Sequence, residues 1–401
     1  MTHYVIIGGG IAGTSAAEQL RKLDPESEIT ILSNEEHPLY SRVLLPHYIS
    51  GKTPRERVFL KSGAWYAEQN IHLAFQTVET IDPAKKQVAT SSGATYSYDK
   101  LLIAGGGITR HLPFDTDKRV YHFQTIEDAD HIKDLMDHNE DGTLKAGLIG
   151  GGFIAMEFAE MFARKNWETH LFLRGEQFFS RNFDQAASNI LEEHLKEHGI
   201  TTHRNITIAS YDGEMAKTNE NGAFTIDVLA AGVGINSKFT WASDAGVEVG
   251  TGVKTNEYLE TNVPDVFAAG DCTEFNDLLS GRQVHIGNWM NAQMQGRHVA
   301  KVMTGDRVPY ELVSSYATHV LGIDIVSVGD AEIEAADEVI ARDYEDGRTL
   351  LMVRDDRVVG ASMINHNADR APATKLIKER VAIDSIKTQL ADPTVELKTL
   401  V

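Results

Sequence analysis

The chain has 401 residues, 42% hydrophobic and 24% charged, with a formal net charge of −20 and one cysteine, Cys272. That length exceeds a single typical core, so two or three domains are expected. The charge disfavours nucleic acid and anionic membranes as partners; one cysteine excludes an intramolecular disulfide and a Cys-rich metal site.

No stretch approaches the roughly 18 to 20 uncharged apolar residues of a membrane span. Met1-Thr2-His3 leads straight into a strand, so no signal peptide is expected and the cytoplasm is the default location. No metal site is expected.

Tyr4 to Ile7 reads as a short buried strand, and Gly8, Gly10 and Gly13 follow at G-x-G-x-x-G spacing before a helix that begins T-S-A-A-E-Q-L-R. This is a dinucleotide-binding turn. The first glycine permits the tight turn, the second lets backbone approach a pyrophosphate, and the third lets helix pack on strand. Helix N–H groups then face the phosphates. An acid is expected about 20 residues on to hold the adenosine ribose, and Glu35 follows the strand Glu28 to Leu32.

Lys52, Arg55, Arg57 and Lys61 against Glu56 form a local positive excess on an acidic chain. It reads as a solvated patch or as a docking spot for an acidic partner. Gly63 to Ile71 is expected to be helical, and alternating segments to Tyr98 to be antiparallel. Leu101 to Arg110, L-L-I-A-G-G-G-I-T-R, is an apolar strand ending in glycines.

A second turn, A-G-L-I-G-G-G-F-I-A-M-E, begins about 140 residues after the first, with Gly150, Gly152 and Ala155 in the three glycine roles. A repeat that long is one of whole domains, so two dinucleotides are expected. The helix Phe153 to Lys165 leads to the strand Thr169 to Leu173, where no ribose acid follows; Arg174 and Arg181 do. Asp184 to His198 reads as an amphipathic helix and Phe224 to Ala231 as one strand. T-N-V-P-D-V-F-A-A-G-D ends in Gly270 and Asp271, whose carboxylate reads equally as acceptor for a cofactor hydroxyl or as N-cap of a following helix. His285 to Val302 includes W-M-N-A-Q-M-Q-G-R-H-V-A-K-V, an expected helix whose start carries Trp289. From Pro309 the pattern becomes short strands and a helix near Thr374 to Arg380, a separate α+β domain.

The two turns, the intervening L-L-I-A-G-G-G and the late V-P-D-V-F-A-A-G-D together resemble the pyridine nucleotide-disulfide oxidoreductase superfamily over essentially the whole chain. The resemblance implies an α/β fold of two Rossmann-like domains, the second inserted in the first, plus a small C-terminal α+β domain. FAD would occupy residues 1–110 and 245–303, NAD(P)H residues 111–244, and residues 304–401 would form an interface domain. P-L-Y-S-R-V-L-L-P-H-Y-I-S-G followed by F-L-K-S-G-A-W-Y resembles NAD(P)H:rubredoxin reductases and the flavin half of nitrite reductase large subunits. The redox cysteine of related disulfide reductases and oxidases would fall on Val43, so thiol-disulfide exchange has no nucleophile here.

What then remains is hydride transfer from nicotinamide C4 to flavin N5, with electrons leaving to rubredoxin or another small iron-sulfur carrier. By resemblance Arg42 reaches the FAD pyrophosphate, Ala104 and Gly105 lie against FAD, Asp271 holds the ribityl chain, and Trp289 lies at the flavin pyrimidine end. Glu157 matches the family acid near the nicotinamide, and His47 takes the place of a family lysine, so a Glu157–His47 pair is expected. Arg174 and Arg181 resemble arginines that accept a 2′-phosphate, a slight lean to NADPH, with Glu176 between them as a counterweight. Two rivals stay open: an oxidase reducing O2, which would turn over in air without an added acceptor, and a redox-sensing flavoprotein acting through NAD(P)H-dependent association.

Overall fold

The computed structural model describes residues 1–116 and 119–401. The chain divides into two compact units: residues 1–43, 54–108 and 236–314, and residues 44–53, 109–235 and 315–401.

The first unit is built on a five-stranded parallel sheet, in the order Val266–Ala268, Lys100–Ile103, His3–Ile7, Glu28–Ser33, His72–Phe75. The central strand is β-branched and buried on both faces, as a strand with parallel neighbours on each side must be. The helix Ile11–Leu23 buries Ala12, Ala16, Ala17 and Leu20 on one face. Those small side chains let the helix Trp289–Met303 approach so closely that a Cβ on Gly296 would lie 2.2 Å from Ala12 O. An antiparallel excursion of Val78–Asp82, Gln87–Thr90 and Thr95–Ser97 leaves the sheet, matching the alternating pattern.

One sequence reading falls in this unit: no helix follows Asp271, because the chain continues as the strand Thr273–Asp277, so Asp271 is not an N-cap. The helix expected to start at Trp289 does start there, because the Asn288 side chain accepts from Asn291 N and caps it.

The second unit has its own parallel sheet, in the order Ile200–His203, Glu168–Phe172, Lys145–Ile149, Val228–Ala231, Val120–Tyr121. The helix Phe153–Arg164 follows the middle strand, as Ile11–Leu23 does in the first unit. The strand expected over 224–231 is two, Ala223–Thr225 and Val228–Ala231. The break comes at Asp227, whose Oδ2 accepts from Lys145 N at 2.8 Å and steers the chain from an antiparallel hairpin into the parallel sheet.

Residues 315–364 of this unit form an antiparallel sheet, in the order Ser315–Val320, Ile323–Gly329, Arg357–Ile364, Arg348–Arg354, Glu338–Asp343. The helix Arg370–Lys378 packs on it through Ala373, Leu376 and Ile377. Arg342, 1% exposed, donates to Leu390 O and Val395 O, each at 2.6 Å, and so ties down the C-terminal segment.

Candidate functional site

The first turn needs glycine for steric reasons that can be measured. Gly8 has φ +116°, and a Cβ there would sit 2.2 Å from Ala104 O; one on Gly13 would sit 2.0 Å from Gly8 O. Gly10 is different: nothing lies within 4 Å of its Cβ position. Gly10 is the N-cap of the helix Ile11–Leu23, which has no side-chain cap and no acid in its first turn. Open N–H groups beside open space are what an incoming phosphate requires.

Glu35 and Arg42 come together: Glu35 accepts from Tyr40 Oη and from Arg42 Nη2. The residue expected on the ribose thus orients the one expected on the pyrophosphate. Ala104 is buried and Gly105 exposed, with Phe239 3.0 Å from where a Gly105 Cβ would stand. A groove lined by Ser33, Asn34, Glu36, Phe75, Gln76 and Thr77 lies at the carboxyl ends of two strands of this sheet, where open α/β sheets bind nucleotides. None of these residues stands out in the sequence, because polar loop residues carry no periodic signal; Glu35 is their neighbour in the chain.

At the carboxyl end of the edge strand Val266–Ala268, Gly270 turns with φ +89° and donates its N–H to buried Gln295 Oε1 at 2.7 Å. Asp271 follows, and its Oδ1 is buried with no hydrogen-bond partner; so is Gln295 Nε2. Burial pushes the Asp271 carboxyl above its ordinary range, against the pull of His285 and Arg42. An orphaned acceptor on this turn and an orphaned donor on the side chain bonded to it fit a polyhydroxylated chain such as the ribityl of FAD. Trp289, half-buried, opens the helix that carries Gln295. Cys272 is fully buried, its thiol pushed up to about 11 by burial, and is inert packing. Val43, at the position of the family cysteine, is 58% exposed.

The second turn repeats the first. Gly150 has φ +120° with a Cβ position 2.3 Å from Gly232 O, and Gly152 is an N-cap with open space around it and no side-chain cap. Ala155 is fully buried, tolerated because its neighbour is Gly232, whose own Cβ would lie 2.6 Å from Ala155 N. Beyond the strand, Arg174 and Arg181 are exposed. Glu176, feared as a repulsive neighbour, accepts from Asn205 Nδ2 and lies 4.0 Å from Arg204.

Glu157, on the same helix, is half-buried, and burial pushes its carboxyl up to about 7, with Glu160 pushing the same way. Thr318 Oγ1 donates to Glu157 Oε1 at 3.4 Å and opposes the rise. Beside it Tyr316 is stacked edge-on to Phe153, ring centroids 4.3 Å apart. Thr318 and Tyr316 belong to the C-terminal sheet, and no sequence signal links them to Glu157. The expected Glu157–His47 pair is not formed among the described residues. His47 is exposed on the five-residue helix Leu45–Ile49, and Glu157 already has its hydrogen bond from Thr318. An imidazole also reaches less far than the lysine it replaces.

These features find their counterpart in known proteins. Residues 2–296 match the family model described as pyridine nucleotide-disulphide oxidoreductase, and residues 323–401 match the model described as reductase C-terminal. The chain belongs to the pyridine nucleotide-disulphide oxidoreductase family, whose members use FAD and NAD(P)H.

It is 28% identical to the 5,5′-dehydrodivanillate O-demethylase ferredoxin reductase subunit of a Sphingobium species, covering 100% of this chain and 99% of that one. It is 27% identical to the nitrite reductase [NAD(P)H] of Bacillus subtilis over 97% of this chain and 49% of that one, so it spans about half that relative's length. A crystal structure of a covalent putidaredoxin reductase–putidaredoxin complex superposes with a TM-score of 0.91 at 25% identity, covering 100% of this chain and 98% of the other. Among the described residues no helix is long and apolar enough to cross a membrane.

Proposed function

We propose that this protein is a cytoplasmic FAD-dependent NAD(P)H oxidoreductase that passes electrons to a small iron-sulfur carrier protein. The observation that carries the reading is the pairing of two uncapped glycine turns with the orphaned Asp271 Oδ1. FAD would be held by Gly8, Gly10 and Gly13 at its pyrophosphate, with Arg42, oriented by Glu35, beside it. Asp271 would accept from the ribityl chain, and Ala104, Gly105, Gly270 and Trp289 would complete the contact. This places FAD on residues 1–110 and 245–303, the nicotinamide nucleotide on 111–244, and an interface role on 304–401. Gly150, Gly152 and Ala155 would cradle the second pyrophosphate.

The chemistry the bound pair supplies is hydride transfer from nicotinamide to flavin and onward release of electrons. The chain's own contribution is binding, orientation and control of charge. Glu157, carrying a proton about half the time near pH 7, adds no fixed negative charge beside its nucleotide and can exchange a proton at Oε1 or Oε2. Arg174 and Arg181 support a preference for NADPH, since Glu176 is occupied by Arg204 and Asn205. Of the positive patch, Lys52 and Arg57 are exposed, while Lys61 is held by Glu18 at 3.5 Å and the Trp65 ring at 3.7 Å. A docking spot for an acidic carrier therefore rests on the exposed Lys52 and Arg57.

The test is anaerobic reduction of the purified yellow protein by NADPH and by NADH, then reoxidation with small iron-sulfur carriers or with air. Fast reoxidation by a carrier and slow reoxidation by air is expected. Rapid oxidation by air alone would replace this reading with an oxidase.

A further inference from the structure

Outside both nucleotide turns, three ligand-type side chains converge in the segment that leads into the strand Val120–Tyr121. His122 Nε2 lies 2.9 Å from Asp115 Oδ2, and His111 Nδ1 lies 3.5 Å from the same oxygen. The two imidazoles sit edge to face with centroids 4.5 Å apart, and the three ligand atoms all lie within 4.8 Å of one another. The Asp115 side chain is 1% exposed and also accepts from Val120 N at 3.2 Å, so it is held in place by the backbone it serves. His122 is buried, and its Nδ1 has no hydrogen-bond partner, which leaves Asp115 as the polar contact that aims the ring.

We propose that His111, Asp115 and His122 form a binding site for a divalent ion of the zinc class. Two imidazoles and one carboxylate are a ligand set such ions take, with a fourth position left to water. With metal-ligand bonds of about 2.0–2.1 Å, the edges of a tetrahedron are about 3.3 Å long. The two nitrogen–oxygen edges, 2.9 and 3.5 Å, bracket that length, so Asp115 is nearly in place against each imidazole before an ion arrives. A cation at their focus gives each imidazole a lone-pair partner. His111, being exposed, supplies the entry path. The pattern H-x-x-x-D-x-x-x-x-x-x-H carries no familiar spacing, which is why the sequence alone did not reveal it.

The site is tested on untagged, chelator-treated holoprotein by equilibrium dialysis against zinc with elemental analysis, and by thermal melting with and without zinc. The variants are His111→Ala and Asp115→Asn, with His122→Ala as a third. His111→Ala is the decisive one because its side chain is exposed and its loss leaves the core intact. The expected result is one zinc per wild-type chain and a Tm raised by zinc. His111→Ala should bind at least about tenfold more weakly, since even an outer-shell partner is worth about 10- to 100-fold, and its Tm should not respond to zinc. Flavin content and reduction by NAD(P)H should be unchanged in His111→Ala. Equal zinc affinity in wild type and His111→Ala, or no retained zinc at micromolar free ion, overturns the proposal.

Discussion

The two glycine turns are near copies, and their strand ends are opposites. Gly8 against Ala104 O and Gly150 against Gly232 O give Cβ separations of 2.2 and 2.3 Å, with φ +116° and +120°. The backbone turn is therefore the same device twice. After the next strand, the first unit places Glu35 in contact with Tyr40 and Arg42, whereas the second places two exposed arginines, with Glu176 between them bonded to Asn205. The difference teaches that the turn says a dinucleotide binds, while the following strand end says which one.

The largest expected effects break the copies apart. Gly8→Ala and Gly150→Ala each force a Cβ into a carbonyl at positive φ, costing about 2 kcal/mol or more of local strain. Gly8→Ala should purify without its yellow colour, whereas Gly150→Ala should keep flavin and lose reduction by NAD(P)H. Absorbance and anaerobic titration separate the two. Loss of flavin from both variants would mean that the turns do not serve separate nucleotides.

Next in size is Glu157, which the second turn's helix has and the first lacks. Its pKa rises on folding from the ordinary carboxylate value of 4.5 to about 7, so the protonated form is the one the fold favours. That stability is complete below pH 4.5, declines as pH climbs to about 7, and is flat above, a span of up to about 3 kcal/mol. Glu157→Gln should abolish this slope in denaturant melts between pH 4.5 and 7 and remove the limb near pH 7 from the kcat profile. His47→Gln should change neither, because the two side chains are not paired; a shifted limb in that variant would restore the pairing.

The smallest effect sharpens the comparison at the strand end. Arg174→Glu gives the second unit an acid where the first has Glu35, and the ratio of kcat/KM for NADPH over NADH should fall about tenfold, the value of one lost charge-assisted contact. An unchanged ratio would show that Arg174 does not read the 2′-phosphate.

Much of this was legible before any coordinates. The parallel strands at Tyr4, Leu101 and Thr169 announce themselves as apolar runs, and the glycine spacing marks the turns between them and their helices. Legibility failed where a polar side chain chooses between neighbours distant in the chain. By sequence Asp271 suits a cofactor acceptor or a helix cap equally, and it caps nothing because a strand follows. His47 stands where the resembling family carries a lysine, yet Glu157 takes its hydrogen bond from Thr318, 161 residues away. The strand expected through Asp227 is split because Asp227 Oδ2 bonds to Lys145 N.

Residue order alone was enough to establish the two nucleotide folds, the missing thiol at Val43 and the reversal of charge at the second strand end. These depend on backbone conformation and on neighbours within a few residues, where local sterics and periodicity decide. Long-range packing settled the rest: a carboxyl at Glu157 that burial holds near neutrality, an orphaned oxygen on Asp271, and two histidines meeting over Asp115. Desolvation and convergence depend on which distant surfaces close over a group, and no local pattern of residues encodes that.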